Sequence, residues 1–185
     1  MTDGRRKGNT GELEVARIVE KWWRTMEPNA EFARVPLSGG WHKGSAVTVD
    51  KQACGDLMTN SHSFPFCIEV KRREQWSVDN LLDGKKTPPW GWWCQCLEAA
   101  QKQSAVPMMW LRKNRLRGSR QSFPWLVWIP DQYRIDKQLN QGDVQWSDGQ
   151  LEDAGIKYGG VLPVAYVYTN FLKMAPRRFR LPKGK

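Results

Sequence analysis

The chain has 185 residues and carries 29 Lys and Arg against 19 Asp and Glu, a formal net charge of +10. That length favours one domain with a sizeable core, and the basic excess favours a polyanionic partner, nucleic acid first, without deciding the fold. No apolar run approaches the ~20 residues that span a bilayer, and the opening MTDGRRKGNT lacks the hydrophobic stretch of a signal peptide, so a soluble, cytoplasmic protein is expected.

Residues 1–8 carry Arg5, Arg6 and Lys7 and read as a flexible basic arm. Asn9 or Thr10 can cap a helix running to about Thr25, with Val15, Ile18, Val19 and Trp22 recurring at helical spacing on its core side. Glu12 falls in the first turn of that helix, where a carboxylate suits the helix dipole. Pro28 closes the region. Glu31 to Leu37 reads as a strand and includes Arg34. The following SGGWHKGS (38–45) reads as a Gly-rich loop, from which His42 and Lys43 can reach phosphates.

The stretch GDLMTNSHSFPFCIEVK (55–71) carries the chemistry. From Phe66 to Lys71 the residues alternate, and a strand sends successive side chains to opposite faces. Phe66, Ile68 and Val70 then share a core face, while Glu69 and Lys71 share the other, about 6.5 Å apart. Alone, that pair is equally a surface ion pair. Asp56 lies 13 positions before Glu69, across a polar, Pro-containing connection that suits a hairpin of two neighbouring strands. Two carboxylates and a lysine converging there make a site for a hard divalent ion such as Mg²⁺.

Beyond it, Arg72 and Arg73 extend a basic face, and Ser77 can cap a short helix through Leu82. TPPWG reads as a break before a second long helix, near Trp92 to Ser104, on which Gln95, Ala99 and Lys102 form one stripe. Residues 106–112 read as a buried strand and 123–130 as its partner. The tract 112–120 between them, with Arg112, Lys113 and Arg115, reads as a solvated loop or a phosphate-contacting one. Residues 131–160 turn polar and suggest no chemistry. Residues 161–168 read as one more strand, and 173–185 as a basic tail around a single domain spanning 9–172. Of the eleven tryptophans most should be core or interface, with a few stacking on unpaired bases. Cys54, Cys67, Cys94 and Cys96 suggest no disulfide framework in a chain this size; reduced, mostly buried thiols are expected.

Asp56, Glu69 and Lys71, with Val70 between the last two, resemble the active site of the PD-(D/E)XK nucleases: an Asp, a variable spacer, then Glu-X-Lys on a strand. Gly55 stands where the pattern's name has Pro. The ordered set of KGNTGELE (7–14), RVPLSGG (34–40), the Gly-Asp, Gln95 with Ala99, and the strand at 106–112 resembles archaeal-type Holliday-junction resolvases and their phage relatives. The resemblance implies an α/β fold, a central mixed β-sheet flanked by helices, restriction-endonuclease-like. It implies Mg²⁺, or Mn²⁺ in its place, held by Asp56, Glu69 and the Val70 carbonyl, with Lys71 acting on the attacking water and the phosphate. By the same resemblance Glu12 is a metal ligand or bonds water at the metal, Ser38 lies near the scissile phosphate, and Gln95 points at the site; otherwise Ser38 is in an ordinary loop and Gln95 faces solvent. Arg5, Arg6, Lys7, Arg34, Lys43, Arg72, Arg73, Arg112, Lys113 and Arg115 are the candidate DNA contacts. The implied substrate is a four-way DNA junction and the implied assembly a homodimer in a phage or archaeal setting. Another nuclease of the superfamily, or a DNA-binding protein whose carboxylates are surface groups, remains the alternative.

Overall fold

The computed structural model describes residues 3–35, 52–74, 76–114, 123–133, 144–145, 147–153, 155, 157, 159–173 and 176. A five-stranded mixed sheet forms the centre, built from β4 (Phe66–Arg73), β5 (Val106–Lys113), β6 (Leu126–Pro130), β7 (Val144–Gln145) and β8 (Pro163–Val167), in the order β4-β5-β6-β8-β7. β4 and β5 run parallel in register from Phe66↔Val106 to Arg73↔Lys113, and the other pairings are antiparallel. A parallel pair needs a crossover, which α2 (Val78–Leu82) and α3 (Pro88–Lys102) supply. β8 lies inside the sheet, with β7 outside it, instead of covering an edge.

β5 shows why its sequence is apolar throughout. Met108 and Trp110 enter the core beneath α1 (Asp3–Trp23), while Met109 and Leu111 enter the core beneath α3. A strand buried on both faces loses its polar alternation. On the first side Val15, Val19, Trp22 and Trp23 meet Ile68 and Val70; on the second Trp90, Trp93 and Cys96 meet Trp128 and Ala165. Among the described residues eight tryptophans are buried, with Trp90 and Trp93 in the core. The architecture is the expected α/β sandwich of helices on a mixed sheet.

Two helix starts differ from the sequence reading. α1 begins at Asp3, so residues 3–8 are helical and not a flexible arm. Glu12 accordingly lies in the third turn, where the dipole of the first turn no longer accounts for it. Gly11 faces Arg72 and Trp125, and an added Cβ would meet both at an ordinary contact distance of 3.5 Å; tertiary packing of α1 overrides the local capping signal of Asn9 and Thr10. α3 begins at Pro88, four residues before Trp92, because Pro88 and Pro89 occupy its first turn, where a missing N–H costs nothing. Ser77 does cap α2, its hydroxyl accepting from the Asn80 N–H at 3.2 Å.

A second, three-stranded sheet sets the position of Asp56. β1 (Phe32–Arg34), β2 (Gln52–Cys54) and β3 (Leu57–Thr59) pair antiparallel in the order β1-β3-β2. It is tied to α1 by the Phe32 N–H donating to Glu20 Oε2 at 2.9 Å. The Ser61 and Ser63 hydroxyls both donate to Glu27 Oε2, at 2.6 and 2.7 Å, and anchor the passage from β3 into β4. The cysteine reading needs correction here. Cys54 and Cys67 form a disulfide with their Cα atoms 4.7 Å apart, and Cys94 and Cys96 are the free thiols. Their pairing follows from the docking of β2 on β4, which cysteine count and chain length do not reveal.

Candidate active site

Cys54 pairs with Leu57, which leaves Gly55 and Asp56 as a two-residue turn between β2 and β3. Gly55 has φ +72°, and a hairpin turn with Gly at its first central position tolerates that value. The turn then docks on the free edge of β4 through a parallel bridge, Gly55 to Ile68. A Cβ on Gly55 would collide with the Ile68 carbonyl. Asp56 and Glu69 are therefore neighbours as expected, although the hairpin is β2–β3 and only its tip touches β4.

The Asp56 backbone is fixed on both sides: its N–H donates to the Ile68 carbonyl at 2.7 Å and its carbonyl accepts from the Val35 N–H at 2.9 Å. Its carboxylate Oδ2 accepts from the Val70 N–H at 2.8 Å. The two polar groups of a strand residue point to the same edge, so the Val70 carbonyl faces this side too. Glu69 and Lys71 project together from β4 and form an ion pair, each side chain 16% exposed.

Asp56 is 8% exposed. Burial and then the charge of Glu69 push its pKa up to about 7, with Glu12 adding to the rise; the Val70 N–H and Lys71 act against it. Glu12 comes from the α1 side, equally buried, and its Oε2 takes the Arg34 Nε at 2.5 Å. Among the described residues no three His, Cys, Asp or Glu side chains are grouped as one metal-holding set. What converges is two carboxylates and a main-chain carbonyl. That all-oxygen set, with repulsion between its acids, fits a hard divalent cation.

The other candidates divide. Gln95 is exposed on α3, away from the buried face formed by Trp93, Cys96 and Ala100. Ser38, His42, Lys43 and Arg115 lie outside the described residues, as do the side chains of Arg5, Arg6 and Lys7, whose backbone is in α1. Arg73 is exposed, Lys113 is half-buried, and Arg72 donates through Nε to Asn114 Oδ1 at 2.8 Å. Arg34 is held by Glu12. Arg112 is a correction: at 9% exposure it makes two bonds to Glu14, 2.7 and 2.6 Å, and stacks 4.2 Å over the Trp125 ring. Burial tends to raise the pKa of Glu14, but the Arg112 and Trp125 hydrogen bonds and the Arg112 and Arg72 charges hold it below the usual value. Arg112 braces α1 against the sheet and is not free to contact DNA. The disulfide beside the site was missed. Its signal is the repeated spacing, Cys54-X-Asp56 and Cys67-X-Glu69.

A mixed sheet between helices, with an Asp at the open edge of a strand bearing Glu-X-Lys, defines the PD-(D/E)XK nuclease class. The family model described as phage putative PDDEXK endonuclease matches residues 3–170, and the chain belongs to that family. No curated protein and no solved structure matches it.

Proposed function

We propose that the protein is a divalent-metal-dependent endodeoxyribonuclease working through Asp56, Glu69 and Lys71, with four-way DNA junctions as its preferred substrate. The observation that carries the hydrolytic reading is the burial of Asp56 against Glu69 and Glu12 in a chain of net charge +10. An acid held among others at that cost to its own ionisation calls for a cation between it and the DNA backbone. Asp56, Glu69 and the Val70 carbonyl would hold Mg²⁺, or Mn²⁺ in its place. When bound, the ion neutralises charge on the scissile phosphate and makes water a better nucleophile. Lys71, kept beside the site by Glu69, orients the attacking water and stabilises the charge that grows on the phosphate. Glu12, steered by Arg34, adds negative field from the α1 side.

The junction preference rests on the resemblance of the ordered sequence pieces to the resolvases. A two-fold dimer would set two sites on opposing strands of such a branch. The test is a Mg²⁺-titrated cleavage assay on an immobile four-way junction and on linear duplexes of the same arms. Paired symmetric nicks in the junction alone, absent in EDTA, are expected. Equal cutting of both substrates removes the junction preference, and intact DNA under every divalent metal removes the hydrolase.

A further inference from the structure

The two carboxylates of the proposed site belong to different sheets: Asp56 to the turn of the three-stranded sheet, Glu69 to β4 of the five-stranded one. Among the described residues, backbone pairing between these sheets is limited to the Gly55–Ile68 bridge and the Asp56 N–H on the Ile68 carbonyl, reinforced by the Val70 N–H on Asp56 Oδ2. Phe32 and Leu57 of the small sheet also share an apolar cluster with Phe66, Ile68 and Val70, and one further link is covalent. Each half-cystine stands two residues before the acid of its own sheet, Cys54 before Asp56 and Cys67 before Glu69. Asp56 and Glu69 repel, so without a cation the joint is under a force that opens it. On its far side the small sheet stays attached to α1 through Glu20 and Glu12.

We propose that the Cys54–Cys67 disulfide is a thiol-cleavable clamp that sets the spacing of Asp56 and Glu69, so that its reduction weakens divalent-metal binding and leaves the main sheet intact. Cys67 is 1% exposed. Cys54 is half-buried and lines a cavity of about 390 Å³ shared with Leu57, Thr59, Phe64 and Ser104, which gives a small thiol its approach. The thiolate attacks Cys54 Sγ, the S–S bond breaks, and the electron pair leaves on Cys67 Sγ, which takes up a proton. A second thiol releases the first from Cys54 as a disulfide. Two thiols are oxidised and one cystine is reduced to two cysteines. Cys96 does not short-circuit this exchange, although its Sγ lies 4.0 Å from the Cys67 carbonyl. Burial, then the Glu69 charge, pushes its pKa up and keeps it a thiol, and only the thiolate attacks.

The metal part of this inference rests on the site proposed above, so the first readout is independent of cleavage. Amide hydrogen exchange is compared in the metal-free full-length chain, oxidised and after reduction with a phosphine. The Asp56 and Val70 amides should exchange at least ~10-fold faster after reduction, with Met109 and Trp110 of β5 unchanged. Followed by melting temperature, the reduced protein should need at least ~5-fold more Mg²⁺ for half of the stabilisation that the ion provides. The Cys54→Ser/Cys67→Ser variant should behave as reduced protein and ignore the phosphine, while the Cys94→Ser/Cys96→Ala variant keeps the full response. Four alkylatable thiols in the oxidised sample, unchanged exchange on reduction, or equal acceleration in β5 would each overturn the clamp. An exchange and Mg²⁺ response in a protein that cuts no DNA would uphold the clamp and overturn the nuclease reading.

Discussion

At the scale of single residues, Asp56 governs how the metal-free protein responds to pH. Its pKa stands near 7 in the fold against 3.8 ordinarily, so the folded state holds this proton more tightly than the unfolded chain does. The resulting stability is complete below about pH 3.8 and is lost as pH rises through 7, with an upper limit of about 4 kcal/mol. Metal-free protein should therefore melt lower at pH 8 than at pH 5.5 as far as this group is concerned, and Mg²⁺ should restore the difference. Asp56→Asn keeps an oxygen for the Val70 N–H and removes the charge. It should raise the metal-free melting temperature at pH 8, flatten the pH dependence, and abolish both Mg²⁺ stabilisation and cleavage; calorimetry across that pH range checks all but the last. Lys71→Ala should cut cleavage by ~10²-fold or more while leaving DNA binding in place, measured by single-turnover rates beside a gel-shift titration. The charged residues also show what sequence alone conceals. Asp56, Glu69 and Lys71 are legible because strand alternation and one turn bring them together locally. Arg112 is not, because its partner Glu14 lies 98 positions away and only the packing of α1 joins them. Arg112→Ala should cost about 2 kcal/mol of stability, less than a fully enclosed pair because Glu14 is partly in water, and Arg73→Ala should weaken DNA binding with little loss of stability. Urea denaturation and salt-dependent binding of the two variants separate these roles.

At the scale of elements, the β2–β3 turn decides the site. The sequence suggests a hairpin between the strands of Asp56 and Glu69, and the polar connection at 60–65 reads as its loop. The two strands meet instead as the tip of one hairpin on the edge of another sheet, since the Gly55–Asp56 pair makes a turn two residues long. The Gly-Asp dipeptide carries that information as a turn signal, Gly55 supplying the left-handed φ. Gly55→Ala puts a Cβ on the Ile68 carbonyl at a left-handed φ. It should cost at least about 1–3 kcal/mol and displace Asp56, so that cleavage falls further than stability does; rates and chemical denaturation on the same preparation check this. β4, β5, β6 and α2 are close to their expected bounds because their apolar runs and caps are local signals. The early start of α3 comes from a proline pair inside a first turn, easily read as a break.

At the scale of the whole molecule, the five-stranded sheet lies between two apolar layers that bury eight of the described tryptophans, and it is far more heavily built than the three-stranded sheet beside it. Nuclease membership, the mixed sheet and its helical covers were all foreseeable from the order of motifs and the doubly apolar β5. The division of the acids between two sheets was not, because it depends on where a short hairpin comes to rest. That division has a thermal consequence. Warming should part the thin seam before it melts the thick core, so inactivation and unfolding are separate events. Residual cleavage after brief heating should fall at a lower temperature than tryptophan fluorescence changes, and it should return on cooling, because the scaffold to which Asp56 must re-dock has never come apart.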